Sequence, residues 1–259
     1  MSASPARPAG LSVFFPAYND SGTIASMVIR AVKAASDLTP DYEVIVVNDG
    51  SADATPEIVD ELARTYSHVR VVHHPKNRGY GGALQTGFRS ATKELIFYTD
   101  GDAQYDPAEL ELLVDAVDNG VDVVQGYKIR RADAVGRRIA GWLYQRGATR
   151  LFGLRVRDVD CDFRLIRREL LERVRLFHRS GVICVEMVRK FQDAGARFVE
   201  VPVHHYPRHH GHSQFFTTRR VTRALLGLAR LRLELLREPH AATAQPAPAI
   251  LERPKRGGA

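Results

Sequence analysis

Leu95-Ile96-Phe97-Tyr98 runs straight into Thr99-Asp100-Gly101-Asp102-Ala103-Gln104. The apolar run has the length and composition of a buried strand, so two carboxylates and an amide oxygen emerge together at its end. Oxygen donors at alternate positions suit Mg²⁺ or Mn²⁺, cations that bridge the phosphate oxygens of a nucleotide. Taken alone, the same turn also reads as a solvated loop or a helix cap, since Asp106-Pro107 just beyond supplies an N-cap and a first helical position.

Upstream, Val44-Ile45-Val46-Val47 enters Asn48-Asp49-Gly50-Ser51 in the same manner, and Leu11–Phe15 leads into Pro16-Ala17-Tyr18-Asn19-Asp20. Three strands thus end in polar groups. In an open α/β sheet the ligand lies outside the carboxyl ends of the strands, which puts Asp49, Asp100 and Asp102 along one crevice. Strand-length apolar runs alternate with helix-length amphipathic ones over 11–15, 21–35, 42–47, 55–66, 69–73, 81–90, 95–98, 107–119 and 121–125. Such a series predicts a mainly parallel sheet covered by helices on both faces. Beyond 125 the pattern loosens, with a helix predicted over 135–152, a strand near 163–166 and a last strand over 197–203. Gly79-Tyr80-Gly81-Gly82 with Gly87 is no dinucleotide fingerprint, because Leu84 stands where the third glycine belongs, and no Walker-type Gly-Lys-Ser/Thr occurs. The glycines read better as a helix start packed tightly beneath a nucleotide.

The motifs fall in a telling order: Pro16-Ala-Tyr-Asn19, Asn48-Asp-Gly-Ser51, Asn77-Arg-Gly79 with Ala83, and Asp100-Gly-Asp102-Ala-Gln104. Asp158, Arg164 and Arg167-Arg168 follow, then Glu200-Val-Pro202 and Arg208-His-His-Gly211-His-Ser213. Over 11–214 this chain resembles the family 2 glycosyltransferases of GT-A fold, and is most similar among them to the dolichyl- and undecaprenyl-phosphate sugar synthases, of the dolichyl-phosphate mannosyltransferase type. The resemblance implies a nucleotide-sugar site at Pro16, Tyr18, Asn19, Asp49, Asn77, Gly79, Asp100 and Gly101, with Asp49 reading uracil or guanine. It implies a metal, Mg²⁺ or Mn²⁺, on Asp100, Asp102 and Gln104. For the acceptor phosphate it implies Lys128, Arg137, Arg138, Arg164, Arg208 and Ser213, with Asp102, Asp158 and Arg208 in catalytic roles. The implied reaction moves a hexose from a UDP- or GDP-sugar to a polyprenyl phosphate in one inverting displacement. Lys128 stands where relatives often carry Arg, and Gln214 where Lys is usual, so the acceptor is less sharply specified than the donor. A soluble alcohol or saccharide acceptor stays open, in which case an acid among Asp158, Asp160 and Asp162 is the natural general base. The same acids also read as an edge paired with Arg155, Arg157 and Arg164.

With 259 residues, 44% of them hydrophobic, the chain can bury one sizeable core. Its apolar runs fall far short of the roughly twenty residues of a membrane helix, and no signal-peptide core opens it. The expected location is therefore the cytoplasm, peripheral on the inner face of the membrane. Cys161 and Cys184 read as reduced core residues. The histidines of 204–212 lack the cysteine partners or helical spacing of a zinc site. The expected organisation is a disordered 1–9, a catalytic domain over 10–215, an amphipathic basic helix over 216–238 and a disordered tail over 239–259. On a helical projection Val221, Ala224, Leu225, Leu228, Leu231, Leu235 and Leu236 share one face, opposite Arg219, Arg223, Arg230, Glu234 and Arg237. Such a helix suits an anionic membrane surface, the catalytic domain or a second copy equally well. The net charge of +7 calls for an anionic partner. Nucleic acid is disfavoured, because no reading motif occurs and the acidic cluster repels phosphate.

Overall fold

The computed structural model describes residues 8–117, 120–129, 135–207, 218–237 and 251–252. Its first half is the alternation read from the sequence: β1 (Leu11–Ala17), α1 (Ile24–Leu38), β2 (Tyr42–Asn48), α2 (Thr55–Thr65), β3 (Val69–His73), α3 (Tyr80–Ser90) and β4 (Leu95–Thr99). A short 3-10 turn over Pro107–Glu109 then leads into α4 (Leu110–Val114), which is shorter than the predicted 107–119. Asp106 caps that turn by accepting from the Ala108 amide at 3.0 Å. The second half comprises β5 (Val123–Lys128), α5 (Val135–Phe152), β6 (Phe163–Arg167), α6 (Arg168–Arg173), α7 (Val182–Asp193), β7 (Phe198–Val203) and α8 (Thr218–Arg237). A two-residue strand, Leu251–Glu252, pairs beside β7 inside the stretch expected to be a disordered tail. The rest of that tail and residues 1–7 lie outside the described residues.

The strand order is β3-β2-β1-β4-β6-β5-β7, with Leu251–Glu252 at the far edge. Neighbours pair in parallel except at β6, which runs antiparallel to both β4 and β5. The sheet is therefore mixed, and the exception has a purpose. A strand running backwards brings its amino end to the rim where its neighbours finish, so Phe163 pairs with Thr99 and Asp162 comes level with Asp100. One layer of core packs α1, α2 and α4 on one face through Leu11, Val13 and Phe15 of β1. The other layer packs α3, α7 and α8 on the opposite face through Phe14, Ile45 and Tyr98. Alternate residues of the same strand thus bury on opposite sides, the behaviour of a sheet covered twice. Cys161 and Cys184 are buried, free thiols.

Candidate active site

The rim is made from the carboxyl ends of β1, β2 and β4 and the amino end of β6. The ladder runs on past the strands: the Asp49 amide donates to the Ala17 carbonyl and the His74 amide to the Asn48 carbonyl, both at 2.9 Å, which keeps three loop starts side by side. Asn19 crosses between them. Its amide donates to Ser51 Oγ at 3.0 Å and its Oδ1 accepts from the Ala52 amide at 2.8 Å. The left-handed φ of 57° that this requires is one Asn tolerates. Tyr18 stands exposed at the mouth, whereas Pro16 is buried within β1.

Asp49 is almost wholly buried and accepts three hydrogen bonds. His74 Nδ1 lies 2.6 Å away, and the Arg78 and Gly79 amides donate at 2.8 and 3.0 Å. A carboxylate has about four acceptor positions, so Asp49 holds the 77–79 loop and keeps one position over. His74 is buried too, and its Nε2 is 2.9 Å from Thr86 Oγ1, whose hydroxyl reaches back to the Gly82 carbonyl. Because a carboxylate only accepts, the His74 Nδ1 carries its proton towards Asp49. Asn77 Oδ1 accepts from the Gly79 amide at 3.0 Å. Gly79 has φ 85°, and a Cβ there would overlap the Arg179 carbonyl, so the glycines admit the backbone of 178–179 against the start of α3.

Tyr80, the first residue of α3, donates its hydroxyl to Asp100 Oδ1 at 2.9 Å, so one helix start contacts both carboxylate loops. Asp102 is buried and accepts from the Gln104 amide at 3.1 Å, around an Ala103 held at φ 60°. A non-glycine residue in that region costs on the order of 1 kcal/mol, strain that here aims two carboxylates the same way. Thr23 fixes the Gly101 carbonyl at 2.7 Å. Gln104 ties the loop to the segment after β7: its side-chain amide donates to the Tyr206 carbonyl at 3.3 Å, and the Tyr206 amide donates to the Gln104 carbonyl at 2.8 Å. Glu109 holds the same segment by accepting from the His204 amide at 2.9 Å. Sequence reasoning missed His74, Tyr80 and Tyr206. Of these, only His74 carried a signal, as the residue following β3 on the rim already marked by Asp49.

Across the rim, Lys128 at the end of β5 reaches Asp158 Oδ2 at 3.4 Å and the Asp160 carbonyl at 3.0 Å. Asp162 Oδ1 accepts from Tyr98 and Cys184, each at 3.3 Å. Burial, then the charges of Asp162 and Asp102, push the Asp100 carboxyl well above the usual carboxylate range, despite the Tyr80 hydrogen bond. Asp160 is pushed up to about 7, chiefly by burial; Lys128 opposes the rise, and Asp158 and Asp162 add to it. Carboxylates therefore crowd one rim, with Lys128 against Asp158 and Arg164 reaching Asp162 Oδ1 at 4.0 Å from below. Among the described residues no three His, Cys, Asp or Glu side chains converge tightly enough to hold a metal by themselves. A hard cation here would take few protein ligands and complete its shell with phosphate oxygens and water, the habit of Mg²⁺.

Arg164 corrects the sequence reading. Expected to face the acceptor phosphate, it is instead 1% exposed, with Nε donating to Gln125 Oε1 at 2.5 Å and a second nitrogen to Tyr98 Oη at 2.6 Å. A third donor bonds the Val159 carbonyl. The antiparallel direction of β6 puts this side chain in the layer beneath the rim, where it fastens the 158–162 turn from below. Arg137 and Arg138 fall on α5 with side chains outside the described residues, and Arg208 and Ser213 lie outside them altogether.

A mixed α/β sheet with three carboxylate-bearing loops meeting at its rim defines a nucleotide-sugar-transferase fold of the GT-A type. The chain belongs to glycosyl transferase family 2, whose model matches residues 12–175. It is 31% identical over 206 residues to undecaprenyl-phosphate 4-deoxy-4-formamido-L-arabinose transferases of Edwardsiella ictaluri and Klebsiella pneumoniae, matching 79% of this chain and 62% of theirs. The match thus spans less than two thirds of those relatives. A crystal structure of Mycobacterium tuberculosis glucosyl-3-phosphoglycerate synthase with Mn²⁺, UDP and phosphoglyceric acid superposes with a TM-score of 0.65 at 21% identity, over 86% of this chain and 78% of that one. The same enzyme with Mg²⁺ and UDP gives 0.63 at 19% identity, over 86% and 79%. These solved structures share the fold.

Proposed function

We propose that the protein is a metal-dependent, inverting hexosyltransferase that moves a sugar from a UDP- or GDP-sugar to a polyprenyl phosphate held at a membrane. The observation that carries the reading is the crowding of Asp100, Asp102 and Asp162 on one rim, with the Asp100 carboxyl raised by burial and by the charge of the other two. A part-buried carboxylate set of that kind is costly unless a cation joins it. Family membership and the names of the curated relatives support the reaction class and the lipid-phosphate acceptor.

In this reading Asp49 uses its remaining acceptor position for a base N–H, Tyr18 covers the base at the mouth, and the loops of Asn19, Asn77 and Gly79 border the ribose and phosphates. Gly101 lets the backbone approach the donor closely. Asp100, Asp102 and Gln104 would hold Mg²⁺ or Mn²⁺, the Gln104 side-chain nitrogen being tied meanwhile to the Tyr206 carbonyl. When bound, the metal neutralises the charge of the departing nucleoside diphosphate. An acceptor phosphate is already anionic at neutral pH, so it needs cations to place it more than a base to activate it. Lys128, held by Asp158, contributes from the β5 side, and Arg137, Arg138, Arg208 and Ser213 complete the acceptor side. Asp158 fixes Lys128 and keeps a carboxylate beside the acceptor.

Release of nucleoside diphosphate from a panel of UDP- and GDP-sugars, with Mg²⁺ or Mn²⁺ and with or without a short-chain polyprenyl phosphate, tests the reading. Release that depends on the lipid phosphate is expected, and Arg208→Ala should raise the acceptor KM more than the donor KM. Turnover with alcohols or saccharides alone would replace the acceptor and turn attention to Asp158, Asp160 and Asp162.

A further inference from the structure

Helix α8 carries two leucine faces, and the fold uses only one of them. Leu228, Leu231 and Leu235 are buried in the core layer that α7 also fills, Gly227 lies against Val182, and His178 Nε2 meets Glu234 at 3.1 Å. Leu225, Leu226, Leu233 and Leu236 remain 61%, 65%, 54% and 62% exposed. Six described leucines are exposed, and the four most exposed of them stand on this one helix. At 3.6 residues per turn these four, with exposed Ala229, fall within roughly a 100° arc beside the buried one. Arg232 borders the arc on one side, and Arg230 and Arg237 border it on the other, all three exposed. The single apolar face read from the sequence is therefore two faces set at an angle, one turned inward and one outward.

From this geometry we infer that the outer leucine face of α8 docks onto an anionic bilayer surface. An apolar arc bracketed by arginines is the pattern of a helix lying in the headgroup layer, where the leucines enter the acyl boundary and the guanidinium groups meet lipid phosphates. A second copy fits less well. It would bring two arginine rims together, while Glu234, the acid on the described part of α8, is already engaged by Arg230 at 2.8 Å and by His178. Location favours the lipid as well. Val182, beneath Gly227, opens α7; the preceding residues 178–179 sit against Gly79 and Gly81 at the start of α3, and Cys184, two residues on, donates to Asp162 on the rim. Helix α8 is thus packed against the element that borders the crevice. This inference rests on the lipid-phosphate reading of the acceptor for its purpose, though not for its geometry. The docked helix would present the crevice to a phosphate at headgroup depth.

The test is co-sedimentation of the full chain with phosphatidylcholine vesicles, with and without phosphatidylglycerol, for the wild type and for a variant carrying Leu225→Gln, Leu226→Gln, Leu233→Gln and Leu236→Gln. The exposed positions and the helix-forming substituent keep the fold, as an unchanged melting temperature would verify. Wild type should bind the phosphatidylglycerol vesicles, more weakly as salt rises, and the variant should lose at least about tenfold in apparent affinity. The variant should still release nucleoside diphosphate at wild-type rate with a water-soluble short-chain polyprenyl phosphate. Equal vesicle binding by both proteins would overturn the inference, as would a wild-type dimer that the four substitutions dissociate. Vesicle binding without any lipid-dependent turnover would leave the docking face standing and remove the proposed acceptor.

Discussion

The two sides of the crevice handle buried charge in opposite ways. On the β1–β4 side, Asp49, Asp100 and Asp102 sit at strand ends, and their near partners are loop amides, a tyrosine hydroxyl and a histidine. On the β5–β7 side, Lys128 and Asp162 stay on the rim, but the other charged groups point back into the protein. Arg164 fastens the turn before its own strand, Glu186 accepts from the Phe177 and His178 amides at 2.9 Å, and Glu200 accepts from the Arg157 amide at 2.8 Å. One side holds carboxylates ready for a ligand; the other uses ions as clamps for loops that local sequence would not order. Substitutions on the first side should therefore change chemistry with little cost in stability, and substitutions on the second should do the reverse.

The largest effect expected is that of Asp102→Asn. The amide keeps the volume and can still accept from Gln104, but it loses the charge a metal needs. We expect a fall of at least about 10³-fold in kcat, roughly 4 kcal/mol, with the melting temperature within a few degrees of wild type. Normal turnover in steady-state kinetics would end the metal assignment. The opposite behaviour is expected of Arg164→Met, which leaves Gln125, Tyr98 and Val159 without their buried donor. Losing one member of a buried charged network should cost on the order of 3 kcal/mol in a denaturant titration. The donor KM of the folded fraction should stay put. A stable Arg164→Met protein with a raised acceptor KM would return Arg164 to the acceptor site and erase the contrast between the two sides.

That contrast also explains what the sequence discloses. The β1–β4 half was legible almost element by element, because each parallel strand is a continuous apolar run closed by a polar turn, and period and punctuation agree. Asp49, Asp100 and Asp102 were legible for the same reason. In the other half, α7 escaped notice: its first two turns, Val182-Ile-Cys-Val-Glu-Met-Val, are apolar nearly all round, and Glu186 in their middle is fully buried. The fate of Arg164 depended on β6 running antiparallel, which a lone apolar run does not reveal. Three leucines of α8 pack inward and four face out, a division that depends on where α7 lies and on nothing within the helix itself.

A smaller effect should separate His74 from Asp49. His74→Ala removes one of three donors to the Asp49 carboxylate and frees the link to Thr86, so the donor KM should rise about tenfold, close to 1.4 kcal/mol, while kcat holds. His74→Asn, whose side-chain amide can sit where Nδ1 was, should recover part of that loss. Equal defects in the two variants would mean that His74 merely fills space.

The smallest effect concerns Asp160, where the clamp side comes nearest to the rim. Its carboxyl, pushed up to about 7 chiefly by burial, ordinarily titrates near 4. Between those two values the folded protein binds a proton that the unfolded chain has released, so raising the pH through this window lowers stability. Asp160→Asn removes the penalty and keeps the backbone carbonyl that receives Lys128. The variant should melt with wild type near pH 4 and a few degrees above it at pH 8, because partial burial lets solvent screen part of the cost. A difference that stays flat with pH would mean that Asp160 is already ionised and compensated, in which case Lys128 serves the 158–162 acids and is not left over for an acceptor phosphate.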